Sequence, residues 1–345
     1  MKHMKFLSFF LGIAFAIIAC SSNNETIPAP EVDPDGDDGT TEVEFAKGAD
    51  IGWVTEYESK GYNFYNAKGE QRECTALMKE LGLDAIRIRV WVDPSKHGNW
   101  CNTADVVEKA KRAKELGMDV MIDFHYSDWW ADPAQQNKPA SWVGKNLANL
   151  KSAIKDHTVS VLQALKEIGV IPKWVQVGNE IRPGMLWDED VALSGASYNV
   201  TEKDLKDAPA SATDKVVYPM NWANLGAFVT TGYDAVKSVF PDAIVIVHLD
   251  NGWDSGLFTW FFDELKKNGG KWDMIGMSLY PYWSRDAKEG YSSADAVITD
   301  CISNIKALST KYNCDVMVVE TGMECADDNG KLASTSVLNE GIWQT

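Results

Sequence analysis

The sequence predicts an α/β chain of the (β/α)8 TIM-barrel class, and three observations predict it. From residue 45 onward, short apolar runs alternate with amphipathic stretches, which is the pattern of parallel β/α units. Polar residues with chemical potential gather at the carboxyl ends of those runs, where a barrel collects its loops around one mouth. No GxGxxG or GxxxxGK[ST] sequence occurs, although an open doubly wound sheet commonly carries such a phosphate loop after its first strand.

Two segments precede the barrel. Lys2 and Lys5 introduce an apolar run of 14 residues from Phe6 to Ala19. That run is too short to span a bilayer but suits the core of an export signal. It closes on Ile17-Ile18-Ala19-Cys20, which resembles the lipobox of bacterial lipoproteins. Residues 1–20 are therefore expected to be a lipoprotein signal, with Cys20 as the lipidated N-terminus. The expected location is the outer membrane or cell surface of a bacterium, with the membrane touched only through this lipid anchor. Residues 21–44 hold eight acids, three prolines and no base, so they are expected to form a disordered acidic tether. Residues 45–345 then form the barrel.

The apolar runs predict strands at 48–54, 85–92, 119–127, 173–180, 243–250, 274–281 and 315–322. Helices fall between them, for example over 103–116. Over 293–312, Val297, Cys301, Ile305, Leu308 and Tyr312 recur at helical spacing. Gly82, Gly117 and Gly169 each follow the last turn of a predicted helix, where a left-handed cap suits glycine. Ser336 to Trp343 reads as the start of a seventh helix, and no eighth apolar run follows before Thr345. The barrel is thus expected with its eighth strand missing from the chain. Its first and last strands would then be open edges, as in a fragment of a longer reading frame.

Composition removes several function classes. With 50 acidic and 33 basic residues the net charge is −17 and the pI about 4.7, which repels phosphate backbones and excludes nucleic acid as a partner. An apolar fraction of 45% with 24% charged residues describes a globular chain. Five histidines without HExxH, and no GxSxG, leave zinc hydrolysis and serine esterase chemistry without support, and no metal ligands are assigned.

The chemistry sits at two strand ends. Strand four closes on Val177-Gly178-Asn179-Glu180 and strand seven on Val318-Val319-Glu320-Thr321, so two carboxylates meet at one rim. Paired carboxylates across a cleft are the machinery of glycoside hydrolysis. Capping a helix or binding a loop lysine would explain either residue alone but explains the pair poorly.

Residues 48–324 resemble glycoside hydrolase family 53, the endo-β-1,4-galactanases. The likeness runs through RIRVWVDP (87–94), DFHYSDWWADP (123–133), KPASW (138–142), VQVGNE (175–180), HLDNGWD (248–254), IGMSLYPYW (275–283) and VVETG (318–322). It implies a retaining barrel hydrolase that cleaves β-1,4-galactan in the type I arabinogalactan side chains of pectin, endo-acting and monomeric, with no required cofactor. Carried over by position, Glu180 is the general acid/base and Glu320 the nucleophile, with carboxyl groups about 5 to 5.5 Å apart. Arg89 is expected beside Glu320, where a guanidinium favours an ionised carboxylate. Asn179 would meet the sugar's 2-hydroxyl, and Asp50, His125, His248 and Tyr280 the central sugar. Trp91, Trp129, Trp130 and Trp283 are the candidate stacking platforms, of which one or two serve.

Trp129 replaces a residue that is usually smaller, and WDED at 187–190 departs from the family's usual continuation, so the resemblance leaves the outer subsites open. Some relatives bind a structural calcium, for which Asp327, Asp328 and Asn329 are the candidate ligands beside the alternative of a solvated turn. Two other functions stay open. One is a sibling activity on β-mannan or β-xylan, and the other a surface glycan-binding barrel with little turnover. Among the cysteines, Cys301 reads as core and Cys74–Cys101 as the one candidate bridge.

Overall fold

The computed structural model describes residues 45–187, 221–281, 284 and 294–322. The expected signal, the lipidated Cys20, the tether, Trp283 and the Asp327–Asn329 run all lie outside the described residues. Seven strands form one parallel sheet: β1 (Gly48–Asp50), β2 (Ala85–Val90), β3 (Asp119–Phe124), β4 (Trp174–Val177), β5 (Ile244–Leu249), β6 (Met274–Leu279) and β7 (Asp315–Thr321). Each pairs with its predecessor in the chain, the serial order of a (β/α)8 barrel, and β1 and β7 are the two edges among the described residues. A short hairpin, Phe64–Tyr65 against Gln71–Arg72, stands apart in the first βα unit.

Every predicted strand is present, and each ends earlier than its apolar run. The first stops at Asp50 because its carboxylate accepts the Gly52 N–H at 2.8 Å, turning the chain so that a helix starts at Val54. The helices are α1 (Val54–Ser59), α2 (Cys74–Glu80), α3 (Thr103–Glu115), α4 (Leu147–Glu167), α5 (Trp222–Val239), α6 (Ser255–Lys267) and α7 (Ala294–Tyr312). In α4, Asn146 caps the first turn by accepting the Asn149 N–H, and Leu150, Ile154, Thr158, Val161, Leu162 and Leu165 form its buried stripe. Truncating Leu162 to Ala would cost about 2–5 kcal/mol through the cavity left behind. Gly117 and Gly169 take φ of +63° and +68° just past α3 and α4, as the left-handed cap requires.

Strand alternation sorts the core into two layers. Ile86, Ile88, Val120, Ile122, Val175, Val177, Val245, Val247 and Ile275 face outward against the helices. Ala85, Met121, Trp174, Ile246 and Met274 face inward and form the barrel floor. One step higher on the same inward face stand Arg87, Asp123, Gln176 and His248, all buried. The interior thus changes from apolar floor to polar network within one pleat repeat of about 7 Å.

The Cys74–Cys101 bridge is not formed. Both thiols are buried and free: Cys74 packs into the main core, while Cys101 Sγ points at the Gly52 carbonyl 3.3 Å away. Cys301 is a core residue, as expected. No helix among the described residues is long and apolar enough to cross a membrane.

Candidate active site

Arg87 organises the mouth from below. Its Nε donates to Gln176 Oε1 (2.8 Å), Nη1 to Asp50 Oδ2 (2.8 Å) and Glu320 Oε1 (2.6 Å), and Nη2 to Asp123 Oδ2 (3.0 Å) and Asn179 Oδ1 (2.8 Å). All five guanidinium N–H groups are therefore used, which is what allows a charged side chain to be buried here. Burial would raise Asp123, but Arg87 and then His125 outweigh it and hold its carboxyl at about 2. Burial works against Asp50 in the same way, yet Arg89 and Arg87 hold its carboxyl below the ordinary range.

The Arg89 expectation needs correction. Alternation puts both arginines on the inward face, but it does not specify depth. Arg87, paired in register with Asp50, reaches Glu320, while Arg89, two residues nearer the rim, meets Asp50 Oδ1 at 3.4 Å and lies beneath Trp130 with 4.1 Å to the ring centroid.

Glu180 arrives through a strained turn. Gly178 takes φ of +87°, and a Cβ there would come within 2.5 Å of Ile181 Cγ2. Glu180 itself holds φ of +49°, uncommon for a residue with a Cβ. The turn is clamped by the Ile181 N–H on the His248 carbonyl (3.1 Å) and by Gln136 Nε2 on the Asn179 carbonyl (2.7 Å). Glu320 arrives through a bulge. Met277 pairs with Val318 but Ser278 pairs with Glu320, so Val319 is the extra residue and the parity of β7 reverses there. Without it, Glu320 would share the outward face of Val316 and Val318.

The two carboxylates face one another. Glu180, Glu320 and His248 each offer an atom within 4.8 Å of the others. The Ser278 hydroxyl lies between the acids, 2.6 Å from Glu180 Oε1 and 3.3 Å from Glu320 Oε2, and the Tyr280 hydroxyl donates to Glu320 Oε2 at 3.3 Å. Burial, then Glu320, then Asp250 push the Glu180 carboxyl well above the ordinary range, so this acid is held protonated. Glu320 instead faces a guanidinium. The geometry can place a proton donor and a carboxylate on opposite sides of one bond. It is poorly suited to a cation, since both ring nitrogens of His248 are engaged and Arg87 already supplies the local positive charge.

The remaining expected residues divide. Asn179 is buried, with Oδ1 on Arg87 and one Nδ2 proton on the Ala131 carbonyl (2.8 Å); its second N–H has no partner among the described residues. His125 meets Asp123 through Nε2 (2.9 Å) and accepts the Ala131 N–H at Nδ1 (3.0 Å), so both nitrogens are spent inside the protein. The same holds for His248. These two histidines support the site's floor rather than offering a nitrogen to a sugar. Trp91 is buried beneath Trp129 with ring centroids 4.3 Å apart, and the Trp129 face is covered by His97 at 3.7 Å. Trp130 is the exposed indole of the group.

Sequence reasoning missed the parts played by Arg87, Asp123, Gln176, Ser278 and the buried Arg182–Asp250 pair, whose Nε–Oδ1 distance is 2.8 Å. A usable signal was present. Gln176 and Ser278 are polar residues of inward parity inside otherwise apolar strands, positions that a floor or a plain core would fill with aliphatic side chains.

Comparison with known proteins agrees with this geometry. Residues 46–342 match the family described as Glycosyl hydrolase family 53. A Niallia circulans protein described only as uncharacterized is 36% identical over 81% of this chain and 68% of its own. The Thermothelomyces thermophilus arabinogalactan endo-β-1,4-galactanase is 31% identical over 84% of this chain and 77% of its own. A solved structure from a study of two fungal β-1,4-galactanases superposes with a TM-score of 0.66 at 28% identity, covering 81% of this chain and 75% of the other. With the match spanning the whole barrel and the paired carboxylates at its mouth, the chain belongs to glycosyl hydrolase family 53.

Proposed function

We propose that the protein is an endo-acting β-1,4-galactanase that works by retaining double displacement on the galactan side chains of pectin. The observation that carries the mechanism is the close opposition of Glu180 and Glu320, with oxygens within 4.8 Å, one carboxyl held protonated and the other against Arg87. A retaining pair lies about 5 to 5.5 Å apart, whereas an inverting pair needs about 6.5–9.5 Å to admit a water. Glu180 protonates the glycosidic oxygen while Glu320 attacks the anomeric carbon. Glu180, now ionised, then takes a proton from the water that cleaves the glycosyl ester. The second N–H of Asn179 is the donor for the 2-hydroxyl, and Trp130 supplies the apolar platform. The galactan assignment rests on the names of the relatives.

The test is product analysis on debranched β-1,4-galactan, β-mannan and β-xylan, with the first-formed anomer followed by NMR. Galacto-oligosaccharides appearing first as the β-anomer, and their loss in a folded Glu320→Gln variant, are expected. Preferential cleavage of mannan or xylan would overturn the substrate, and a first-formed α-anomer the mechanism. We also propose that the protein is exported and held at the membrane by lipid on Cys20, supported by the apolar run that ends in Ile-Ala-Cys and the acidic segment after it. Release of the wild type, but not of Cys20→Ala, from membranes only by detergent is the expected outcome.

A further inference from the structure

Ser278 makes an arrangement that the proposed chemistry does not by itself call for. Its hydroxyl oxygen has three neighbours: His248 Nε2 at 2.8 Å, Glu180 Oε1 at 2.6 Å and Glu320 Oε2 at 3.3 Å. A serine hydroxyl has one proton and two lone pairs, so three partners saturate it only if two donate and one accepts. The network beneath decides which is which. Arg87 Nε donates to Gln176 Oε1, which fixes the Gln176 amide so that Nε2 donates, one proton to Asp123 Oδ1 (3.1 Å) and the other to His248 Nδ1 (3.0 Å). Asn179 Oδ1, also 3.0 Å from Nδ1, takes its proton from Arg87. His248 is buried beside Arg87 and stays neutral, so its one proton lies on Nε2 and is donated to Ser278. One lone pair of the hydroxyl is thereby occupied at all times. The other lone pair and the proton remain for the two acids.

We propose that Ser278 is a positioning residue whose single hydroxyl proton follows the negative charge from Glu320 to Glu180 during the reaction, an inference that rests on the double-displacement reading above. In the resting enzyme Glu180 carries the proton and donates to Ser278, and the Ser278 O–H points at the Glu320 carboxylate. Once Glu320 has become a glycosyl ester it carries no charge, and Glu180, having given its proton to the leaving group, is a carboxylate. The O–H then rotates to Glu180 and holds it for its work as base. No bond to Ser278 forms or breaks, and hydrolysis of the ester returns the O–H to Glu320. His248 keeps the oxygen still while the proton turns. The bulge at Val319 is what brings Ser278 level with Glu320. The other charges facing Glu180 are Asp250, paired to Arg182, and Asp132, and neither touches Ser278.

The experiment compares wild type, Ser278→Ala, Ser278→Cys and Ser278→Thr in the full chain on β-1,4-galactan, reading kcat and KM across pH with folding checked by circular dichroism. Losing a hydrogen bond to a charged group predicts a fall in kcat of about 10- to 100-fold for Ser278→Ala, with KM changed by less than about threefold. Its basic limb should move to higher pH, because the ionised form of Glu180 loses its donor. Ser278→Cys, a weak donor of similar shape, should move the limb the same way, and it carries the comparison if the alanine variant does not fold. Ser278→Thr keeps the hydroxyl and should leave the limb in place. An unmoved limb in Ala and Cys, or a threonine variant displaced like alanine, overturns the proposal. A wild type that gives the α-anomer instead overturns the double-displacement reading, and one that gives no product overturns the galactan assignment, before any variant is considered.

Discussion

Arg87 Nη1 lies 2.6 Å from Glu320 Oε1, and the same guanidinium spends its other four N–H groups on Asp50, Gln176, Asp123 and Asn179. One buried fork thus ties residues from five strands or strand ends into a rigid floor beneath the carboxylate pair.

Arg87→Lys keeps the charge but offers three donors on a flexible stem instead of five in a plane, so at least two acceptors are left unfilled. Activity on galactan should fall by about 10²- to 10³-fold, comparable to removing a preorganised electrostatic donor. Thermal denaturation should show a lower Tm as well, because Asp123, fully buried, loses geometry that its ionised form needs.

Glu180→Gln should separate activity from stability. The Glu180 carboxyl is raised in the folded state by burial and by Glu320, so its contribution is fully present below the unfolded value near 4.5 and is lost as pH rises through the folded one. The glutamine variant should match the wild type in Tm near pH 4 and exceed it at pH 8, while turnover drops by about 10²- to 10⁴-fold. Equal melting curves at both pH values would sink the assignment of a buried, repelled carboxyl.

His157 on α4 lies edge-on to Phe124, Tyr126 and Trp142, and its buried Nε2 has no partner among the described residues. Burial lowers it from 6.5 to about 4. A histidine depressed in this way contributes stability that is complete above pH 6.5 and is lost as pH falls toward about 4, because the unfolded chain binds the proton first. That loss is about 2–3 kcal/mol. Urea titrations at pH 7 and pH 4.5 should show it in the wild type and much less of it in His157→Phe.

Gly178→Ala places a Cβ 2.5 Å from Ile181 Cγ2 at φ of +87°. It should destabilise the fold by about 1–3 kcal/mol. Because Asn179 and Glu180 follow directly, kcat should fall together with Tm, and a variant with wild-type kinetics would show that the turn does not set their position.

Legible in the residues alone are the succession of seven strands and the two strand ends that carry glutamates. Those features are local: periodicity, glycine caps and apolar runs report on a dozen residues at a time. Depth and facing came instead from the assembled sheet. Alternation could say that Arg87 and Arg89 share a face, but not which of them stands level with Glu320. It would have turned Glu320 outward, since the bulge at Val319 is set by pairing with β6, some 40 residues earlier in the chain. Likewise, the hydrogen-bond economy that consumes both nitrogens of His125 and His248, and leaves Ser278 between two acids, depends on residues from strands far apart in sequence. Their mutual distances are fixed only when the sheet curls and brings its inward faces together.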